Sequence, residues 1–255
     1  LGSESVSEKK LCIERACRSI SQKDYGFFPA EVCRELLQEV AADPLSDWQV
    51  FRESWDRLKL DTYMADGGKY RMRRHATLSA LPSSVLYKVE PHQAHYQSLN
   101  YNTLNGGIAR YFEPIDQDVI QGATMSAVIR LGCEIFGRLR PYCSWHIEVH
   151  QFRIEAKEGG IGKPTPEGVH RDGVGFVMML MIGRTNLVSG STTIYDLDKR
   201  RLDEFTLQCP LDLAIVNDEQ VYHGVTPIVQ LDTDKSACRD VLVITFKRKA
   251  QGNRQ

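Results

Sequence analysis

Apolar residues follow two different spacings along this chain. Up to about residue 60, and again over residues 117–139, they recur every three or four positions, which predicts helices. From about residue 145 onward, short runs rich in Val, Ile, Thr and Phe alternate with turn residues, which predicts strands. These runs cover residues 145–154, 176–182, 191–195, 205–209, 213–216 and 241–246. Many strands without helices between them are typical of an antiparallel sandwich or jelly roll.

The predicted organisation is a single domain over residues 1–255, mainly β with flanking helices. Residues 1–60 form the helical part, in which one helix opens at Pro29 and a short one covers about residues 47–58. Residues from about 61 to 250 form the β core, together with the long helix near 117–139. A chain of 255 residues suits one domain of ordinary enzyme size.

Composition and charge disfavour two classes of protein, those that bind nucleic acid and those that span a membrane. Hydrophobic residues make up 42% and charged residues 25%, a balance typical of a folded chain. The 32 Lys and Arg against 33 Asp and Glu leave no basic excess for a nucleic-acid backbone. No apolar run approaches the roughly 20 residues that cross a bilayer, and no basic-then-apolar leader is present. We therefore expect neither a nucleic-acid nor a membrane partner.

The cysteines bear on the cellular compartment. There are seven, an odd number, and no C-x-x-C pair occurs. This pattern disfavours both a zinc cage and a disulfide framework. Such thiols are typical of a reducing compartment, so we expect a cytoplasmic protein.

The sharpest local motif is the segment EGVHRDG at residues 167–173. Side chains two apart in an extended chain point the same way, so His170 and Asp172 share one side. His223 follows about fifty residues later and is a candidate third ligand. Two histidines and one carboxylate on one face hold Fe(II) in non-haem oxygenases. Taken alone, the H-x-D pair also fits a surface turn in which Asp172 bonds to its own backbone.

An arginine at the start of the last strand predicts an anion site. Arg239 follows His223 by about sixteen residues and lies two positions before the apolar run 241–246. A buried charge without a partner is costly, so this guanidinium needs an anion. A small dicarboxylate would supply one through a planar, bidentate pair.

With these spacings, the order H-x-D, His, Arg resembles the Fe(II)/2-oxoglutarate dioxygenases, and within them the free amino-acid hydroxylase family that includes L-isoleucine dioxygenase. The likeness covers about residues 55–248. It is carried by the segments DTY (61–63), GGKYRMRR (67–74), YQS (96–98), NGG (105–107), HQFR (150–153), PEGVHRDG (166–173), RTN (184–186), HGVTP (223–227) and RDVL (239–242). One departure is SGST at residues 189–192, where a Gly-Gly-Glu-like turn is expected. It concerns the substrate side of the pocket and not the metal.

The resemblance implies a double-stranded β-helix, a cupin-like jelly roll, with Fe(II), 2-oxoglutarate as co-substrate and O2. His170, Asp172 and His223 would hold the metal and form the catalytic centre, and Arg239 would bind the distal carboxylate of 2-oxoglutarate. The implied reaction is hydroxylation of an unactivated C–H bond in a small free substrate, most simply an aliphatic L-amino acid. A homodimer is left open.

A free amino acid also needs partners for its own charged groups. Arg153 and Arg184 are candidate anion sites for its carboxylate, since each lies in a segment that carries the resemblance. Glu167, three residues before His170, is a candidate acceptor for its ammonium group. Each of the three also fits an ordinary charged position at a strand end or turn.

Several alternatives remain open on the sequence. The same oxidant could give desaturation or ring closure, such as aziridine formation, and the substrate could be a protein or peptide. A non-catalytic jelly-roll binding module would keep the fold without the reaction. A second candidate metal set also exists, because strand alternation places three residues on one face: His146, Glu148 and His150. These residues fit either a cupin-type site or the polar face of a strand.

Overall fold

Three antiparallel sheets and a layer of helices build the structure, a computed structural model that describes residues 11–156 and 160–249. The helices are α1 (Leu11–Lys23), α2 (Ala30–Val40), α3 (Trp48–Glu53), α4 (Gln117–Ile120) and α5 (Ala123–Leu139), and a 3-10 turn (Ser54–Arg57) follows α3. The strands are β1 (Tyr25–Phe28), β2 (Lys59–Leu60), β3 (Arg71–Ala80), β4 (Tyr87–Val89), β5 (Trp145–Ala156), β6 (Phe176–Thr185), β7 (Leu187–Ser189), β8 (Thr192–Tyr195), β9 (Arg201–Phe205), β10 (Leu213–Asn217), β11 (Tyr222–Val225), β12 (Ile228–Gln230) and β13 (Ala237–Arg248).

The largest sheet has the order β1-β10-β6-β13-β5-β3-β2, with β4 paired to β3. A second sheet has the order β11-β8-β9, and β12 pairs with β7. Most neighbours in the large sheet are distant in sequence, as in a jelly roll, whereas β2, β3 and β4 are consecutive, as are β8 and β9. The predicted fold class, a mainly β jelly-roll core with flanking helices, is confirmed.

The outer face of the large sheet packs against the helices. Alternate residues of β13, among them Leu242, Ile244 and Phe246, belong to the same buried apolar cluster as α5. Phe136 of α5 stacks on Phe176 of β6, with ring centroids 4.3 Å apart and planes 6° apart. The helices thus cover this face and leave the opposite, inner face of the sheet for the site.

The inner face divides into an apolar part and a polar part. Val177 and Met179 of β6, with Val241 of β13, pack against Ile194 of the second sheet. On β3 and β5, by contrast, the inward residues are mostly charged or imidazole side chains, and they are buried. This polar part of the face forms one wall of a cavity.

The long helix predicted over residues 117–139 is interrupted. It consists of α4 and α5, separated at Gln121 and Gly122. Asp47 caps the N-terminus of α5. Its Oδ1 accepts hydrogen bonds from the backbone N–H and the hydroxyl of Thr124, at 2.8 and 2.5 Å. A Cβ at Gly122 would lie 2.2 Å from Oδ2 of Asp47, so this capping contact requires glycine there. A distant capping residue of this kind leaves no local pattern to detect.

Two other details differ from the sequence prediction. The predicted strand at 205–209 is wrong, because β9 ends at Phe205 and the backbone N–H groups of Gln208 and Cys209 donate instead to Asp212, at 2.8 and 2.9 Å. The helical N-terminal part also contains β1, which pairs with β10 at the edge of the large sheet.

The ends of the predicted domain, residues 1–10 and 250–255, lie outside the described residues. The predicted helix at Pro29 is confirmed as α2, with Pro29 at its N-cap. Within residues 11–156 and 160–249, no helix is both long enough and apolar enough to cross a membrane.

Candidate metal centre

A cavity of about 420 Å³ lies between the inner face of the large sheet and β11, a volume typical of small-molecule sites. Every second residue of β13 from Arg239 to Lys247 lines it. The alternate residues of β5 from His146 to Ile154 line it too, paired in register with those of β13. Because alternate side chains of a strand share one face, the cavity follows the two strands along their length.

Three candidate metal ligands converge on this cavity. The backbone of His170 pairs with that of His223 on β11, through N–H to O=C distances of 2.9 and 3.0 Å. The Nε2 atoms of His170 and His223 lie 3.7 and 3.6 Å from the carboxylate oxygens of Asp172. One ligand atom from each residue lies within 4.8 Å of the others. The structure therefore brings together the three residues that the sequence analysis singled out.

The hydrogen bonds of the first histidine prepare it for a metal. Nδ1 of His170 lies 2.9 Å from the carbonyl oxygen of Gly168, so Nδ1 carries a proton, and in the neutral ring Nε2 then keeps its lone pair. Burial lowers the pKa of His170, but the negative charges of Asp172 and Glu167 outweigh burial and raise it. The same negative charge is available to a bound cation. Burial, together with the nearby His170, lowers the pKa of His223 to about 4 and keeps it neutral.

Asp218 fixes the turn that carries Asp172. Its carboxylate accepts hydrogen bonds from the backbone N–H groups of Asp172, Gly173 and Val174, at 2.8, 2.8 and 3.0 Å. Burial and the negative charge of Asp172 raise the pKa of Asp218 to about 7. Gly173 has a φ of +77°, and a Cβ there would lie 2.4 Å from the ring of Tyr101. Asp218 is not among the residues predicted from the sequence, where its one signal is a carboxylate just after an apolar strand.

A second cluster of candidate ligands lies on the sheet side of the cavity: His75, His95, Glu148 and His150, all buried. It contains two of the three residues of the alternative metal set from the sequence. The third, His146, has its Nε2 3.9 Å from Oε1 of Glu148 and stands outside the cluster. By composition alone, this cluster is as good a metal site as the first.

Arg73 argues against a metal in the second cluster. Its Nη2 lies 2.7 Å from Nδ1 of His150. Because a guanidinium can only donate, Nδ1 must accept, and the proton of the neutral ring then lies on Nε2. A protonated Nε2 has no lone pair for a metal. Burial and the charge of Arg73 lower the pKa of His150, which keeps the ring in this neutral form.

The carboxylate of the second cluster is occupied by imidazoles. Glu148 lies 3.0 Å from Nδ1 of His95 and 3.4 Å from Nε2 of His75. Burial raises the pKa of Glu148, but hydrogen bonds from the surrounding histidines outweigh burial and hold it below its usual range. Burial lowers the pKa of His75 to about 4. His95, Glu148 and His150 line the cavity as part of its polar wall, whereas His75 is not among the lining residues.

Arg239 lies buried at one end of the same cavity. Within the described part of the chain, its Nε and Nη2 have no hydrogen-bond partner. Burial and the neighbouring Arg184 lower the pKa of Arg239 to about 10. Arg184 faces Arg239 across β6 and β13 and donates to the carbonyl oxygen of Ser189 at 2.6 Å. Two adjacent guanidiniums of this kind attract an anion.

The turn that departs from the family pattern lies at this guanidinium end. A Cβ at Gly190 would lie 3.1 Å from Nη1 of Arg184 and 3.8 Å from Cδ of Arg239. The departure therefore adjoins Arg239. It was expected on the substrate side of the pocket, and the structure places it beside the guanidinium that the resemblance assigns to 2-oxoglutarate.

Of the three residues predicted to contact substrate, one lines the cavity and two do not. Glu167 lines the cavity, with Oε1 3.4 Å from Nε2 of His170 and Oε2 buried without a partner among the described residues. Arg184 lies behind Arg239 and is not among the residues that line the cavity. Arg153 is also absent from the lining, which corrects the expectation that it contacts substrate. It is an odd-numbered residue of β5 and faces away from the cavity.

Two carboxylates hold Arg153 on that outer side. Its Nε and Nη2 each lie 2.8 Å from an oxygen of Asp240, and its Nη1 lies 2.9 Å from Asp56. These ion pairs raise the pKa of Arg153 above its ordinary value. A guanidinium that is already paired in this way has little to offer a ligand.

The chain matches known proteins over most of its length. Residues 52–245 match the family described as 2OG-Fe dioxygenase. The 3(1)-hydroxy-L-isoleucine 4-dioxygenase of Pantoea ananatis is 22% identical over 239 residues, covering 91% of this chain and 95% of that protein. The L-isoleucine-4-hydroxylase of Bacillus thuringiensis is 24% identical over 198 residues, covering 75% and 82%. The crystal structure of a bsmA homologue from Methylobium petroleophilum PM1 has a TM-score of 0.81 at 33% identity, covering 92% of each chain.

Removing the carboxylate of Asp172 should abolish metal binding. We expect Asp172→Ala to fold but to lose Fe(II) or Mn(II) on desalting, because two neutral imidazoles alone hold these ions weakly. Metal content by mass spectrometry and folding by circular dichroism check this. The matched control is His95→Gln in the second cluster, which should keep the metal content of the unaltered protein. Loss of metal in His95→Gln with retention in Asp172→Ala would place the ion in the second cluster.

Proposed function

We propose the reaction of this protein from one premise: the chain belongs to the 2OG-Fe dioxygenase family, which its residues 52–245 match. It is an enzyme that uses Fe(II), 2-oxoglutarate and O2. When bound, iron and 2-oxoglutarate activate O2 to oxidise an unactivated C–H bond, with release of succinate and CO2. The proposed reaction is hydroxylation of a free aliphatic L-amino acid. The names of the two curated relatives, both of which refer to isoleucine oxidation, support this choice.

The observation that carries the proposal is one cavity that contains both a His/Asp/His cluster and a buried guanidinium without an ion pair in the described residues. We assign His170, Asp172 and His223 as the catalytic Fe(II) ligands. Imidazole nitrogen and carboxylate oxygen without thiolate suit this ion. We assign Arg239 to the distal carboxylate of 2-oxoglutarate, with Arg184 behind it adding positive charge.

The residues of the cavity wall orient the ligands and exclude water. All three proposed iron ligands lie in the wall, so the metal would face the space where ligands bind. Apolar side chains of the large sheet, Val177, Met179 and Val243, form the opposite wall. They give the C–H bond of an aliphatic side chain a dry surface to pack on, and holding this bond in one place would contribute to the rate.

Glu167 is the proposed acceptor for the substrate ammonium. Its side chain is buried in the cavity wall, and Oε2 has no hydrogen-bond partner in the part of the chain that the structure describes. A buried carboxylate oxygen of this kind binds a cation well, because it has little solvation to lose. Its contact with His170 would place the amino group close to the metal.

We also propose a cytoplasmic location. All seven cysteines are free thiols, two of them fully buried in the core. Free thiols persist in reducing compartments and are oxidised elsewhere. Fe(II) is likewise kept in its reduced state there.

The proposed reaction is tested by succinate release with Fe(II), 2-oxoglutarate and O2 across a panel of free L-amino acids, with mass analysis of each product. We expect an aliphatic member to stimulate succinate release and to gain about 16 Da, the mass of one oxygen atom. Loss of about 2 Da instead would indicate desaturation or ring closure. Succinate release that no amino acid stimulates would contradict the proposed substrate class while leaving the oxidant in place.

Replacement of Arg239 should weaken 2-oxoglutarate binding. We expect Arg239→Ala to lose about 2–4 kcal/mol of binding free energy, the scale for a buried charge pair that loses one partner. Titration calorimetry of the metal-loaded protein measures this directly. The control is Arg138→Ala on the exposed side of α5, which should bind 2-oxoglutarate normally. An unchanged affinity in Arg239→Ala would remove this residue from the site.

Neutralising Glu167 should affect the amino acid and not the co-substrate. Glu167→Gln keeps the shape of the side chain but removes its charge, so the KM for the amino acid should rise about tenfold or more. The KM for 2-oxoglutarate should stay within about twofold. Steady-state kinetics with each ligand varied in turn provides the measurement. Loss of bound iron in this variant would instead assign Glu167 to the metal.

A further inference from the structure

Arg110 is a second buried guanidinium in the same cavity. It is 1% exposed and lines the cavity wall. Its backbone is fixed by reciprocal hydrogen bonds with His95, both at 2.9 Å. Its Nη2 donates to Oε1 of Gln97 at 3.0 Å, and its Nε has no partner in the described residues. Over the same residues no ion pair joins Arg110 to a carboxylate, in contrast to the arginines around it.

The neighbouring arginines already share the nearest acid. Arg71 and Arg73 lie 2.7 and 3.5 Å from the same oxygen of Asp61. Burial, together with the positive charge of Arg71, lowers the pKa of Arg110. The charges of Asp61, Glu167 and Glu148 act in the opposite sense, but none of these carboxylates forms an ion pair with Arg110 in the described residues. A charge buried in this way is costly until an anion joins it.

A hydrogen-bonded bridge connects Arg110 to the metal centre. Nε2 of Gln97 donates to Oδ1 of Asp172 at 3.1 Å, while Oε1 of the same amide accepts from Arg110. Asn102 also donates to that Oε1, at 3.1 Å, and so fixes the orientation of the amide. An anion on the cavity side of Arg110 would therefore lie one side chain away from the proposed iron ligand.

We propose that Arg110 binds the α-carboxylate of the amino-acid substrate, an inference that rests on the proposed function. The reaction brings two anionic carboxylate ligands into one cavity, and the cavity wall has two guanidiniums without a protein carboxylate, Arg239 and Arg110. The planar fork of Arg110 can form a bidentate pair with a carboxylate. Gln97 is then a positioning residue, which holds Arg110 and Asp172 at a fixed separation.

The test compares carboxylic acids with their amides. Under anaerobic conditions, the full chain loaded with Fe(II) and 2-oxoglutarate is titrated with L-isoleucine, L-leucine and L-valine, and with the amide of each. We expect the unaltered protein to bind at least one acid about thirtyfold or more tightly than its amide, because the amide lacks the charge that Arg110 pairs with. Equal binding of acid and amide would overturn the inference without any variant.

Variants then assign the preference to this residue. Arg110→Gln should bind the acid as weakly as the amide, and its affinity for 2-oxoglutarate should stay within about twofold. Arg110→Lys keeps the positive charge but lacks the planar guanidinium, so it should recover part of the preference for the acid. This second variant also tests the inference if Arg110→Gln does not fold. Arg138→Gln, on the exposed side of α5, should behave as the unaltered protein does.

Three further outcomes overturn the inference, and each has a different meaning. If Arg110→Gln keeps the full preference for the acid, Arg110 does not bind the substrate and the proposed function stands. If Arg110→Gln loses affinity for 2-oxoglutarate alone, Arg110 belongs to the co-substrate. If the unaltered protein binds none of the three amino acids, the proposed substrate class fails together with the inference.

Discussion

The cost of burying charge is the constraint on which the interior of this protein depends. One face of the large sheet places guanidiniums, carboxylates and imidazoles in a wall largely closed to water, where an ion without a partner costs several kcal/mol. Part of the wall is neutralised by the protein itself, since Arg71 and Arg73 share Asp61. Arg110 and Arg239 have no such acid among the described residues. These two guanidiniums would gain an ion pair only when anions bind, which would link ligand binding to stability.

The two metal-ligand clusters show that the position of a proton decides what a histidine can do. Both clusters combine imidazoles with one carboxylate in the same cavity. His170 donates through Nδ1 to a carbonyl oxygen, so Nε2 is free to accept a metal. His150 meets a guanidinium at Nδ1, so its Nε2 is a donor. The two clusters contain the same residue types, and the group that contacts Nδ1 of each histidine decides whether its Nε2 can bind a metal.

The sequence predicts a strand where at least one of its two faces is apolar, and it fails where neither face is. β5 is predicted despite its polar inner face, because Trp145, Ile147 and Val149 make the other face apolar. β6, β10 and β13 were predicted because Val, Ile, Leu and Met dominate them. The pattern does not predict β3, because Arg71, Arg73 and His75 make its inward face polar and Arg74 interrupts the apolar residues of the other face, so the usual relation between polarity and exposure is reversed. The same reversal misled the assignment of Arg153. On a strand whose polar residues face inward, the charge of Arg153 does not indicate whether its side chain faces the cavity or the outside.

The same reasoning explains which site residues the sequence could supply. His170 and Asp172 lie two positions apart, so strand geometry alone brings them together. Gln97 and Arg110 lie in a stretch with little regular structure, and only the tertiary fold brings them to Asp172. Their amide and guanidinium connect the wall that would receive substrate to the carboxylate that would hold iron. Because one amide contacts both, a shift of Arg110 toward a bound anion would also act on Asp172, and the proposed substrate site and the proposed metal centre would form one hydrogen-bonded unit.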